Sequence, residues 1–147
     1  MNNLKEKKLN NKGFSLVELI IVIAIMAVLI GVLAPQYLKY VEKSRQSADL
    51  DTIDQMISAV EIYSADPANT IVEGSIEYTA ADTKSATDTV LAAFKEAGLP
   101  DTADKLPSMK SKAYSKWKIE FSAAGITVTD NNGDNNADTD LKKALGR

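Results

Sequence analysis

The stretch Gly13-Phe14-Ser15-Leu16-Val17-Glu18-Leu19, continued by an apolar run to Ala34, decides how the rest of this chain is read. From Phe14 to Ala34 only Ser15 and Glu18 are polar. As a helix rising about 1.5 Å per residue, the run is roughly 31 Å long, close to the roughly 30 Å of a bilayer's hydrocarbon core. The chain is therefore expected to enter a membrane once, near its beginning. Ahead of the run, Lys5, Lys7, Lys8 and Lys12 against one Glu6 give a leader of net charge +3, which favours the cytoplasmic side. A secretory signal peptide would carry a small-residue cleavage site after its apolar region, but Pro35-Gln36-Tyr37-Leu38-Lys39 follows instead. The cleavable-looking junction, Gly13-Phe14, lies before the run, so cutting there leaves the membrane helix on the mature chain.

Composition narrows the chemistry. The 147 residues, 45% hydrophobic and 25% charged, allow one modest globular domain besides the anchor. With no Cys and no His, disulfides, thiolate metal sites and the commonest acid-base side chain are absent from the repertoire. No Ser, Lys and acid grouping stands out, so catalysis is not expected. The net charge is −3, and loss of the +3 leader leaves −6, a poor match for nucleic acid backbones. Lys105, Lys110, Lys112, Lys116 and Lys118, with Tyr114 and Trp117 among them, form the one basic stretch outside the leader. A solvated strand face with aromatic core residues is the simpler account of it than a DNA-binding or adhesive patch.

The residues Lys12-Gly13-Phe14-Ser15-Leu16-Val17-Glu18-Leu19-Ile20 closely resemble the type IV prepilin signature: a basic leader ending in Gly, Phe at the first mature position, Glu four residues on, and an apolar tail. The resemblance covers about residues 8 to 64. It implies a pilin fold, cleavage after Gly13 by a prepilin peptidase that also N-methylates Phe14, and homopolymerisation driven by an assembly ATPase and a platform protein. It also implies a single pass of the cytoplasmic membrane, N-terminus inside, before assembly, and an extracellular pilus afterwards. The missing disulfide departs from many pilins of Gram-negative bacteria and fits a Gram-positive-type system better. Minor pilins and secretion or competence pseudopilins share every N-terminal feature, and a plain membrane-anchored binding module is a reading of another class. Adhesion, aggregation, motility and DNA uptake all remain open for such a fibre.

Glu18 is a carboxylate near the end of a membrane helix, which costs a few kcal/mol unless it is paired or reaches the interface. Processing would place the Phe14 α-ammonium about one turn away, and a neighbouring copy shifted by about one turn could offer its amine to Glu18 directly. A snorkelling residue with no partner is the plainer alternative.

Residues 36–65 read as an amphipathic continuation of the helix, with Tyr37, Val41, Ser44, Ala48, Ile53, Met56, Ile57 and Val60 recurring at three- and four-residue steps. Polar positions, Asp49 among them, are expected on the other face. Pro35 removes a backbone donor and Gly31 lowers helix propensity, so a bend or loosened stretch is expected between them. Asp66-Pro67 ends the helix. Residues 66–147 are expected to form an α+β head: a short helix over Thr87–Ala97, a helical turn near Asp101–Lys105, and a hairpin of Lys116–Phe121 and Ile126–Thr129. Trp117, Ile119, Phe121, Ile126 and Val128 should pack on Met56, Ile57, Val60 and Tyr63. A third strand should come from Ile76–Tyr78 or Ala113–Ser115, because one hairpin is marginal. The domain plan is thus leader 1–13, transmembrane or filament-core helix 14–35, amphipathic helix 36–65 and small-sheet head 66–147.

Asp130, Asn132, Asp134, Asn136 and Asp138 place oxygen ligands two residues apart, a spacing that invites calcium. No register gives the EF-hand pattern. The segment reads first as a polar loop leading to a short helix over Thr139–Leu145, and no cofactor or metal is expected.

Overall fold

The computed structural model describes residues 13–69, 72–80, 83–130 and 141–146. One helix, α1, spans Leu16–Ala65, 50 residues, and runs unbroken through Gly31 and Pro35. Four antiparallel strands follow: β1 (Gly74–Ala80), β2 (Thr83–Ala86), β3 (Trp117–Ser122) and β4 (Gly125–Asp130), in the spatial order β2-β1-β3-β4. Helix α2 (Asp88–Glu96) and a 3-10 turn at Ala103–Lys105 lie between β2 and β3, and α3 (Leu141–Ala144) packs against β4. The chain divides into two compact units, residues 1–39 and 40–147.

Within the second unit, the core is the inner face of the sheet against the C-terminal part of α1. Ile53, Met56, Ile57 and Val60 are buried with Ile76, Tyr78, Trp117, Ile119, Phe121 and Val128, while Tyr63 and Ile126 are partly buried against them. The expected hairpin forms in register, with Ile119 opposite Val128 and Phe121 opposite Ile126. Its two-residue connection, Ala123-Ala124, is closed by Gly125 at φ 126°, a backbone angle that a Cβ would strain. The third strand is β1, which includes Ile76–Tyr78 and not Ala113–Ser115. Strand β2 was not expected. Its Thr83-Lys84-Ser85-Ala86 carries little apolar signal and pairs antiparallel with β1, Ile76 opposite Ala86 and Tyr78 opposite Lys84.

Helix α2 buries Val90, Ala93 and Phe94, the i, i+3, i+4 stripe of an amphipathic helix. It ends in a Schellman motif: Leu99 N–H donates to the Phe94 carbonyl at 2.8 Å, Gly98 N–H donates to the Lys95 carbonyl at 3.2 Å, and Gly98 takes φ 75°.

The face of α1 turned to the core differs from the sequence-based expectation. Ser44 and Ala48 are exposed, Tyr37 is 69% exposed, and Asp49 is 3% exposed. Asp49, Ile53, Met56 and Val60 follow one another at steps of four, three and four, so the carboxylate occupies a core-facing position. Its oxygens accept from Lys110 N–H at 2.9 and 3.0 Å and from Ser111 N–H at 2.6 Å. One heptad earlier, Glu42 accepts from Lys112 N–H at 3.2 Å. From the sheet side, the Tyr78 hydroxyl donates to the Pro107 carbonyl at 2.9 Å, and Lys84 Nζ donates to the Leu106 carbonyl at 2.6 Å and to Ser108 Oγ at 3.1 Å. The loop from Leu106 to Lys112, which has no ladder of its own, is thus held by side chains from both layers.

Tyr78 also stacks on Trp117, ring centroids 4.4 Å apart at 21°, the two residues being opposite each other on β1 and β3. Burial, with a further contribution from the Asp49 charge, pushes the Tyr78 hydroxyl well above the ordinary tyrosine range. Folding then favours the protonated form, so this contribution is complete below about pH 10, the unfolded value, and is lost as pH rises beyond it. Thermal melts between pH 8 and 11.5 should show stability falling above about pH 10, and Tyr78→Phe should flatten that fall while costing about 1 kcal/mol at neutral pH. An unchanged alkaline limb in the Phe variant would refute the assignment.

Candidate functional site: the N-terminal segment

The segment that the sequence singled out lies in the first unit. Gly13, Phe14 and Ser15 precede the helix in non-helical backbone and are exposed, Phe14 at 87%. A Cβ built on Gly13 meets nothing within 4 Å among the described residues, so their packing does not require glycine there. The helix opens at Leu16, and Glu18 is in its first turn, where a negative charge complements the positive end of the helix dipole.

Glu18 Oε2 accepts the Ser15 backbone N–H at 2.9 Å. That bond satisfies a donor left over at the helix start and is the glutamate half of a capping box. This role was not among those expected of Glu18. The signal was present, since Ser15-Leu16-Val17-Glu18 is the S-x-x-E pattern directly ahead of an apolar run. The carboxylate is therefore turned back toward the start of the helix, onto Ser15.

Beyond Glu18, the large side chains from Leu19 to Leu33 are all more than half exposed in the isolated chain. Helix α1 is long and apolar enough to cross a membrane. An uninterrupted exposed apolar surface of this size needs lipid or protein around it. A Cβ on Gly31 also meets nothing within 4 Å, and Pro35, four residues later, supplies no donor to the Gly31 carbonyl.

The family model described as the prokaryotic N-terminal methylation motif matches residues 8–34. The chain carries a prepilin-type N-terminus. Three forms of the type IV major fimbrial protein FimA of Dichelobacter nodosus are each 42% identical to it over 50 residues, 34% of this chain and 31 to 32% of theirs. The chain thus spans about a third of the length of the curated relatives it matches. No solved structure matches it. The prepilin motif contains Gly13, Phe14, Glu18 and Gly31 and stops one residue short of Pro35. The long N-terminal helix and small antiparallel sheet form the α+β, pilin-like arrangement expected from the sequence.

Other candidates fare differently. Asn132, Asp134, Asn136 and Asp138 lie outside the described residues, and Asp130 closes β4 with its backbone opposite Trp117. Among the described residues, no three His, Cys, Asp or Glu side chains converge as metal ligands would. In the basic stretch, Tyr114 and Trp117 are buried, and Lys118 Nζ is 2.7 Å from Glu120 Oε1. Lys110 and Lys112 lend their backbone N–H groups to Asp49 and Glu42.

Proposed function

We propose that the chain is the structural subunit of a type IV pilus, made as a precursor, cut after Gly13 by a prepilin peptidase, N-methylated at Phe14 and polymerised through α1. The observation that carries this reading is a methylation motif placed on an exposed, non-helical junction directly ahead of an exposed apolar helix. A peptidase needs an accessible, non-helical chain, and Gly13-Phe14 offers one. Among the described residues nothing packs against Gly13, in keeping with a glycine that serves the peptidase and not the fold.

Before assembly, residues 14–35 lie in the cytoplasmic membrane with the leader inside. An assembly ATPase and its platform protein then lift the subunit outward. Lipid tails and neighbouring apolar helices are similar solvents for Leu, Ile and Val, so the exchange has little net cost. Between Gly31 and Pro35, where the helix lacks a donor and carries its poorest helix former, it can bend or loosen to fit its neighbours. The work is assembly and not catalysis.

Mass spectrometry of sheared surface fibres tests the proposal. An abundant chain beginning at N-methyl-Phe14 is expected. A chain that keeps its leader and stays in the membrane fraction as monomer would refute it.

A further inference from the structure

We infer that the end of the 40–147 unit carrying Tyr40, Lys43, Lys110 and Lys112 docks on anionic phospholipid headgroups, on the face of the bilayer opposite the leader. The contact rests on the membrane reading above and concerns the subunit before it is polymerised.

The lysines come from two places in the sequence and are gathered by hydrogen bonds. Between Leu106 and Trp117 the charged residues are Lys110, Lys112 and Lys116, with no acid among them. This loop is tied to α1 where Glu42 accepts from Lys112 N–H at 3.2 Å and Asp49 accepts from Lys110 N–H at 2.9 and 3.0 Å. Both carboxylates at this end are thereby engaged: Asp49 is buried, and Glu42 also lies 3.9 Å from Arg45. Lys43, Lys110 and Lys112 are exposed, and their ammonium groups form no ion pair among the described residues. The opposite end of α1 has the opposite sign. From Glu61 to Glu73 the charged residues are Glu61, Asp66 and Glu73, with no base, and Glu96 of α2 borders the same groove as Asp66.

Chain connectivity selects the partner. Tyr40 and Lys43 come six and nine residues after the apolar run ends at Ala34, roughly 9 and 14 Å at helical rise, which keeps them within reach of the headgroup layer. Helical side chains lean toward the start of their helix, so both lean back toward the bilayer. Tyr40, 71% exposed, has the amphipathic ring favoured at membrane interfaces, and a lysine stem can lie along apolar surface while its ammonium sits among phosphates. Each lysine near an anionic surface favours contact about fivefold. A chain of net charge −3 would otherwise be repelled from such a surface, so the basic end also fixes which way the unit faces. A nucleic acid would meet the same ammonium groups, but nothing in the chain brings one there, whereas the apolar run brings the headgroups.

Trp117 is the chain's one tryptophan, so energy transfer from it to a trace of dansyl-headgroup lipid reads how close the unit lies to the bilayer surface. The full-length chain is reconstituted in vesicles of phosphatidylcholine alone and in vesicles with about one third phosphatidylglycerol, an anionic lipid. Transfer should be about twofold higher in the anionic vesicles, and the excess should vanish in about 1 M salt, where the Debye length is about 3 Å. Lys43→Gln with Lys112→Gln should also abolish the excess, while Lys95→Gln with Lys142→Gln, the same loss of charge on α2 and α3, should keep it. The leader is present in every variant, so differences between variants report the unit alone. Equal transfer in the two lipids, or equal loss from both double variants, would overturn the assignment. So would duplex DNA that binds the detergent-solubilised chain through Lys43 and Lys112 while transfer ignores lipid charge, since the lysines would then serve nucleic acid. A chain that fails to float with either kind of vesicle would instead sink the membrane reading itself.

Discussion

Asp49→Ala is expected to lower the stability of the 40–147 unit by about 3 kcal/mol, a fall in melting temperature of roughly 10–20 °C for a unit of this size. Two opposing effects set that figure. Removing a buried carboxylate relieves the cost of keeping a charge away from water, which favours the variant. Against it, the Lys110 and Ser111 N–H groups stay where they are and lose their acceptor, and each buried donor left unpaired costs about 1–3 kcal/mol. The donors are backbone groups of a loop that is itself held from the sheet side, so they cannot readily swing out to water. The second effect should therefore win. Asp49→Asn keeps one acceptor oxygen but turns an amide N–H₂ toward the same donors, and it should lie between wild type and Ala. Thermal melts of the detergent-solubilised full-length chain provide the check. A fall of less than about 3 °C for Ala, equivalent to under 1 kcal/mol, would show that the clasp contributes little.

The same residue shows what could be read from the sequence and what could not. The apolar run, the Gly13-Phe14 junction, α2 with its Gly98 stop and the β3-β4 hairpin follow from local rules: hydrophobic length, helical period, turn chemistry and strict alternation. Each of these signals is contained within a dozen or two neighbouring residues. Asp49 required a different kind of knowledge. A period-based reading assigns charge to the solvent face, and only the arrival of Lys110 and Ser111, sixty residues away, makes a core-facing carboxylate tolerable. Strand β2 was hidden for a related reason. A four-residue edge strand of Thr, Lys, Ser and Ala has no alternation to detect and exists because β1 offers it a free row of backbone groups. At the N-terminus the outcome was mixed. Glu18 stands out by charge as the one acid in the apolar run, whereas its bond to Ser15 N–H is written in the S-x-x-E spacing and not in the charge.

That bond sharpens the last and largest expected effect. Glu18→Ala would remove both a helix cap and a charge, so its loss of assembly alone would not say which mattered. Glu18→Gln separates them. A glutamine carbonyl can accept the Ser15 N–H as the carboxylate does, the capping box being satisfied by either residue, but it cannot neutralise an ammonium group. Cleavage after Gly13 leaves the Ser15 N–H bond to Glu18 in place and creates a new positive charge, the Phe14 α-ammonium, about one helical turn from the carboxylate. An unpaired carboxylate at membrane depth costs roughly 3 kcal/mol, and an unpaired ammonium a similar amount. A neighbour that supplies the missing partner relieves both costs at once. If charge pairing drives docking, both variants should be inserted and processed normally, and both should reduce surface fibres by at least tenfold, Gln about as severely as Ala. Quantitative comparison of sheared fibres with the processed membrane pool reads this directly. Full fibre yield from Glu18→Gln would mean that the cap is sufficient and the charge is not, and the pairing between copies would have to be abandoned.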